Sequence, residues 1–268
     1  LALQNLQARS RLVLSYLTAQ LLPWSKKHTA FNSSSSSSSI ARPPLVLSSA
    51  NLDECLCGYL TKYDCSSADV NPIGSISKQD LRRFIKFAST HLLIDSENQE
   101  DLTEAASRRD MLQKTLLEIL AAPPSAELRP LNGAAMYQTD EQEMGLTYPQ
   151  LSQLGRLRLS GGRACGPREM LANLLQQVDS SAAYDFGDGD SDISIARKLC
   201  ERVKLFFRKY SANRHKATVL PPAYHTESYS ADDNRFDLRP FLYPVDWTHQ
   251  FASMDRLVEE WEAAHPPS

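Results

Sequence analysis

The chain has 268 residues, room for one or two ordinary domains with a real core, and its 42% hydrophobic and 23% charged content is that of a soluble globular protein. A formal net charge of −3 offers no basic field for nucleic acid or an anionic membrane surface. No apolar run approaches the about 20 residues of a membrane span, and no basic n-region followed by an apolar stretch marks a signal peptide. Five cysteines (Cys55, Cys57, Cys65, Cys165 and Cys200) form an odd set without a CxxC pair. That argues against a zinc site or disulfide framework and fits a reducing, cytoplasmic setting.

In chain order, residues 3–22 carry apolar side chains at Leu6, Val13, Leu14, Leu17 and Leu21, a helical stripe expected to stop at Pro23. The chain opens on Leu1 within this helix and without an initiator Met, so a natural start is expected further upstream. Seven consecutive serines follow Asn32, and the Ser-rich insertion 32–43 is expected to be disordered. Residues 44–48 have strand length and composition. Asn51 then reads as an N-cap, with Asp53 and Glu54 in the first helical turn. Residues 68–73 suggest a second short strand. Ser77 caps another helix, whose stripe is Leu81, Phe84, Ile85, Ala88 and Leu92.

Residues 94–110 read as a polar linker, 111–121 as a helix ending before Pro123, and 147–154 as a short helix. Residues 160–166 are Gly-rich. The acidic run DFGDGDSD at 185–192 lacks the closing Glu of a calcium loop and reads as a solvated loop. The strongest helical pattern spans 193–210. An irregular arm follows to 247, and a last amphipathic helix carries Phe251, Met254, Leu257, Val258 and Trp261. Two short strands cannot make a stable open sheet alone, so either the fold is essentially helical or further strands lie elsewhere.

Three polar clusters could carry chemistry. Residues 49–54 lie at a strand-to-helix junction, where α/β folds bind ligands, though capping alone explains such a pattern. Lys62, Asp69 and Lys78 alternate through a loop in a way that suits a polyphosphate, as well as an ordinary solvated surface. Residues 213–216, NRHK, precede the irregular arm, which reads equally as ligand contact or as a packing segment.

Taken in order, these clusters resemble the NAD synthetase family, most closely its glutamine-dependent eukaryotic branch. The resemblance rests on NLQAR at 5–9, SSANLDE at 48–54, GYLTKYDCSSAD at 58–69, NPIGSISKQDLR at 71–82, PSAEL at 124–128, QTDEQEMGLTY at 138–148, NRHK at 213–216 and DNRFDLRPFLYP at 233–244. It implies an ATP-dependent ligase of NAD biosynthesis. ATP adenylates the nicotinate carboxylate of deamido-NAD, and glutamine-derived ammonia then attacks the acyl-adenylate. By position, Glu54 matches the Mg²⁺-binding glutamate. Ser49, Lys78 and Ser125 match ATP contacts, and Arg9, Lys62, Asp69, His215 and Lys216 match deamido-NAD contacts. Ser48 stands in place of the usual glycine.

The implied fold is the C-terminal portion of an α/β, adenine nucleotide alpha hydrolase-like (ATP pyrophosphatase, Rossmann-like) parallel-sheet domain, mostly helical here. Residues 1–160 would be the partial synthetase domain and 161–268 its helical C-terminal region and arm. The family also implies a homo-oligomer, with no nucleic acid or membrane as partner. Its SGGxDS loop and nitrilase-like glutaminase domain do not occur within the 268 residues. The expectation is therefore an incomplete enzyme, inactive alone. The alternative is a non-catalytic truncated product acting as a nucleotide-binding or oligomerisation module.

Overall fold

The computed structural model describes residues 1–30, 44–92, 102–125, 139–159, 165–179, 194–225, 230 and 245–266. The helices are α1 (Ala2–Ala30), α2 (Leu52–Cys57), α3 (Lys78–Phe87), α4 (Leu102–Ala121), α5 (Asp140–Met144), α6 (Tyr148–Leu159), α7 (Pro167–Asp179), α8 (Ile195–Ala212) and α9 (Thr248–Ala264). Short 3₁₀ turns occupy Cys65–Ser67 and Arg214–Val219, and a π-turn at Ala88–Leu92 closes α3. The serine tract, the acidic run and most of the 211–247 arm beyond 225 lie outside the described residues.

The core belongs to α6–α9. Helix α7 packs on α8 and α9, α8 packs on α9, and α2 leans on α6 and α8. Leu151, Met170, Leu171, Leu174, Leu199, Val203, Phe206, Phe207 and Met254 are fully buried between them. Phe206 and Phe207 meet edge to face at 5.4 Å, and Trp247 meets Phe207 at 5.2 Å. Arg197 and the Ser194 cap of α8 both hold Glu262 of α9, the arginine at 2.8 Å from each oxygen.

Helix α7 is absent from the expectations above, although Pro167 fits the first helical position and Met170, Leu171, Leu174 and Leu175 repeat at helical spacing. Two other helices outrun their expected bounds. Helix α4 begins at Leu102, inside the supposed linker, and α1 continues through Pro23. A helix-interior proline removes one hydrogen bond and crowds the preceding turn, at about 3 kcal/mol, but helical residues on both sides carry α1 past it.

The apolar stripe of α1 is also not buried. Leu6, Val13 and Leu14 are each more than half exposed, while Ala8 and Ala19 are the buried positions. Helix α1 is instead fastened by polar contacts. Arg9 Nε donates to the Lys62 carbonyl at 3.0 Å, Thr61 Oγ1 to Asn5 Oδ1 at 3.0 Å, and Tyr16 to Asp69 Oδ1 at 2.9 Å.

Among the described residues, extended pairing is limited to isolated bridges. Leu47 pairs in parallel with Val70, Asn71 in parallel with Ala223, and Ser125 in antiparallel sense with Thr139. The two parallel bridges set three short segments side by side, with 69–71 in the middle. Ser48 N donates to Val70 O, Asp69 N to Val46 O and Asn71 N to Pro222 O, at 2.8, 3.0 and 2.8 Å. Pro44, Pro72, Pro221 and Pro222 lack N–H donors where these ladders would lengthen. The two expected strands are therefore single-bridge segments, and the described fold is mostly helical.

Candidate functional site

The middle segments end at the N-termini of α2 and α3. Asn51 caps α2 in a reciprocal box: its Oδ1 accepts from Glu54 N at 3.0 Å, and Glu54 Oε2 accepts from Asn51 N at 3.3 Å. The two acids of this turn then diverge. Asp53 points inward, where its Oδ2 accepts from Lys78 N at 2.8 Å and its Oδ1 from Ser152 at 3.1 Å, tying α2 to α3 and α6. Burial pushes its carboxyl up to about 6, against the pull of those two hydrogen bonds.

Glu54 faces the other way, into a cavity of about 590 Å³. Its Oε1 accepts from the Tyr148 hydroxyl at 3.0 Å and lies 3.5 Å from Lys78 Nζ. Lys78 also lies over the Tyr148 ring at 5.2 Å. The Tyr148 hydroxyl sits 3.0 Å from Asp140 Oδ2 as well, and Asp140 Oδ1 is buried without a hydrogen-bond partner. Close by, Tyr59 donates to Glu143 Oε2 at 2.7 Å. Burial first, then the neighbouring carboxylates, push both phenols far above the usual tyrosine range.

The cavity lies between the first turns of α1, residues 58–66 and the Arg214–Val219 turn. Of the nine residues singled out from the sequence, it is lined by six: Arg9, Ser49, Glu54, Lys62, His215 and Lys216. Lys216 is largely committed already, its Nζ donating to the carbonyls of Gly58 and Leu60 at 2.8 Å each. Burial lowers its pKa, and burial with the charges of Lys62 and Lys216 lowers that of His215, so the imidazole is neutral at pH 7. Lys62 lies 5.4 Å over the Tyr63 ring. Ser66 also lines the cavity, and its hydroxyl is buried with no partner.

The remaining three residues lie off the lining. Lys78 stands behind Glu54 through their ion pair. Asp69 is used within the fold: its Oδ1 accepts from Tyr16 and its Oδ2 from Val46 N at 2.8 Å, so it joins α1 to the first extended segment. Ser125 pairs with Thr139, next to Asp140, whose N–H donates to Pro124 O at 3.0 Å.

Several lining or supporting residues had no assigned role: Arg11, Tyr59, Asp140, Glu143, Tyr148 and Asn213. Five of them sit inside motif runs quoted above (Asp140, Glu143 and Tyr148 in QTDEQEMGLTY, Tyr59 in GYLTKYDCSSAD, Asn213 in NRHK), and that placement is the available signal. Asn213 Nδ2 donates to Cys57 O at 3.0 Å and abuts Gly58, whose φ of +69° ends α2.

Elsewhere, Cys200, Glu201 and Asp255 come within 4.8 Å of one another. Lys204 already fills that group, at 3.0 Å from Glu201 and 2.5 Å from Asp255. All five cysteines are free thiols, and burial raises the pKa of Cys57, Cys65, Cys165 and Cys200. None of these four is therefore poised as a thiolate nucleophile.

The cavity lining combines Arg9, Arg11, Lys62 and Lys216 with the carboxylates Glu54, Asp64 and Glu143, a mixture that suits a polyanionic ligand with an accompanying cation. Residues 36–164 match the family model for NAD synthase. The chain is 47% identical, over 97% of its length, to the glutamine-dependent NAD(+) synthetase of Arabidopsis thaliana, of which it covers 29%. Over all of its length it is 45% identical to that of Homo sapiens, of which it covers 32%. A crystal structure of a glutamine-dependent NAD(+) synthetase from Cytophaga hutchinsonii superposes with a TM-score of 0.50 at 16% identity, covering 95% of this chain and 30% of that one. Similarity to NAD synthases thus runs along nearly the whole chain, which spans about 30% of the length of the curated relatives it matches.

Proposed function

We propose that this chain supplies one wall of the site in which a glutamine-dependent NAD synthetase amidates deamido-NAD at the expense of ATP. The observation that carries the reading is the convergence of Arg9, Ser49, Glu54, Lys62, His215 and Lys216 on one cavity. These residues come from sequence positions as far apart as 9 and 216, and the fold brings them together.

The chemistry asks for such a wall. A carboxylate is a poor electrophile until adenylated, and both substrates carry phosphates whose charge must be offset. Arg9 and Lys62 stand where they can hold the pyrophosphate of deamido-NAD, Arg9 with its planar fork and Lys62 as a point charge. Neutral His215 can donate or accept a hydrogen bond without adding charge. Lys216 holds the Gly58–Leu60 backbone in place and thereby shapes the pocket. Ser66, with its unpartnered hydroxyl, fits a ribose or ring amide.

Mg²⁺ fits the carboxylate end, because Glu54 faces the cavity and Asp140 behind it leaves a buried oxygen unsatisfied. Glu54 would hold it, and when bound it supplies charge neutralisation for the phosphates. Ser49, Lys78 and Ser125 remain the candidates for ATP, with Lys78 within reach of the cavity through Glu54. The parallel alignment of segments 44–48, 69–71 and 222–223 supports membership of a Rossmann-like parallel sheet. The apolar stripe that α1 leaves exposed supports assembly of copies into an oligomer.

Equilibrium binding of deamido-NAD to the chain tests this reading. Lys62→Ala, which removes a half-buried cation and no packing, is expected to weaken binding about tenfold, the equivalent of about 1.4 kcal/mol. Equal affinity of both proteins would remove Lys62, and with it the proposed pyrophosphate wall.

A further inference from the structure

We propose that Tyr148 is a positioning residue: its hydroxyl, backed by Asp140, fixes the Glu54 carboxylate in the orientation that a divalent cation requires. The inference rests on the reading of Glu54 given under the proposed function.

A glutamate has three side-chain torsions, and a metal ligand must have all of them settled before the ion arrives. Both oxygens of Glu54 are held. Oε2 is fixed by the Asn51 N–H at the start of α2, and Oε1 by the Tyr148 hydroxyl at 3.0 Å. The first constraint is local to the α2 cap. The second comes from 94 residues away and sets the face that Glu54 turns to the cavity.

Tyr148 can serve as such an anchor because its ring is 4% exposed and packed in the core beside Leu56, Met144 and Leu151. Its backbone N–H also donates to Glu141 Oε1 at 2.9 Å, which fastens the start of α6. On the far side, its hydroxyl meets Asp140 Oδ2 at 3.0 Å. A phenol between two carboxylates has one proton and donates to one of them at a time. Glu54 has Lys78 as its second partner, whereas Asp140 Oδ1 has none. The direction in which Glu54 presents its lone pairs thus depends on how Asp140 holds the phenol.

The test measures Mn²⁺ binding to the chain by the loss of the free-ion paramagnetic signal, together with thermal unfolding. Tyr148→Phe keeps the buried ring and removes only the hydroxyl. It is expected to weaken Mn²⁺ binding about 10- to 100-fold, the usual effect of losing a partner of a metal ligand, while the protein stays folded. Glu54→Gln is expected to abolish binding. Should Tyr148→Phe fail to fold, Asp140→Asn, which changes no buried volume, carries the same test with the same direction of effect. Unchanged Mn²⁺ affinity in folded Tyr148→Phe alongside loss in Glu54→Gln would overturn the positioning role and leave the Glu54 assignment standing. Unchanged affinity in Glu54→Gln, or no Mn²⁺ uptake by the unsubstituted chain, would overturn the Glu54 assignment and the inference with it.

Discussion

The α6–α9 bundle and the cavity wall are held together by different forces. In the bundle, side chains such as Phe206, Leu171 and Met254 are wholly removed from water, and polar links such as that of Arg197 with Glu262 and that of buried Arg158 with Cys165 O supplement this packing. In the wall, side chains reach to backbone groups: Arg9, Lys216 and Asn213 donate to the carbonyls of residues 62, 58 and 60, and 57, and Asp69 accepts from the N–H of residue 46. Burying apolar area stabilises without regard to direction, so the bundle can tolerate exchanges that keep volume. Hydrogen bonds fix direction but contribute only about 1 kcal/mol each. The wall therefore obtains precise geometry from weak contacts, and leans on the bundle through α2 for its stability.

Substitutions can break or sharpen this contrast. The largest effect is expected at Phe206→Ala, which empties a fully buried ring site and should cost about 3–5 kcal/mol in urea unfolding. A loss below about 1 kcal/mol would mean that the bundle is not the stabilising region. Gly58→Ala comes next. Its left-handed φ alone costs about 1–2 kcal/mol for a residue with a Cβ, and the added carbon would stand 2.2 Å from Asn213 Cβ. It sits where the two regions meet, so both unfolding and ligand affinity should suffer. Stability loss with unaltered affinity would separate the regions further than described here.

The smallest effect is expected at Glu262. The Arg197 hydrogen bond first, then that of Ser194, holds its carboxyl down from the ordinary 4.5 to about 2. A depressed acid contributes stability that is fully present above 4.5 and is lost as the pH falls towards 2. Glu262→Gln should therefore flatten the stability profile in that acid window and leave ligand binding unchanged. An unaltered acid limb would show that the α8–α9 clamp is not formed in solution.

Much of this was legible in the sequence, for reasons that differ by region. The Asn51 and Ser77 caps are local signals and reappear as drawn, as does α8 within two residues of its expected start. Helix α7 lies within the region 161–268 expected to be helical, and its apolar spacing at Met170, Leu171, Leu174 and Leu175 marks its buried face. The apolar stripe of α1 stands exposed, because periodicity reports only that a face is apolar, not that something in the same chain covers it. For the site, the motif positions led to the cavity at Arg9, Ser49, Glu54, Lys62, His215 and Lys216. Asp69 shows the limit. A carboxylate that binds a ligand and one that holds a neighbouring backbone look alike in sequence, and only the fold shows that Asp69 accepts from Val46 N and Tyr16. Tyr148 illustrates the reverse: its importance arises from meeting Glu54 across 94 positions of chain, which no local pattern encodes.

Amide hydrogen exchange with and without deamido-NAD tests the central claim most directly, because it reads wall and bundle in one experiment. The account predicts slower exchange on ligand addition across residues 59–66 and 214–216, with α7, α8 and α9 unchanged. Unchanged exchange across 59–66, or protection confined to α7–α9, would contradict it.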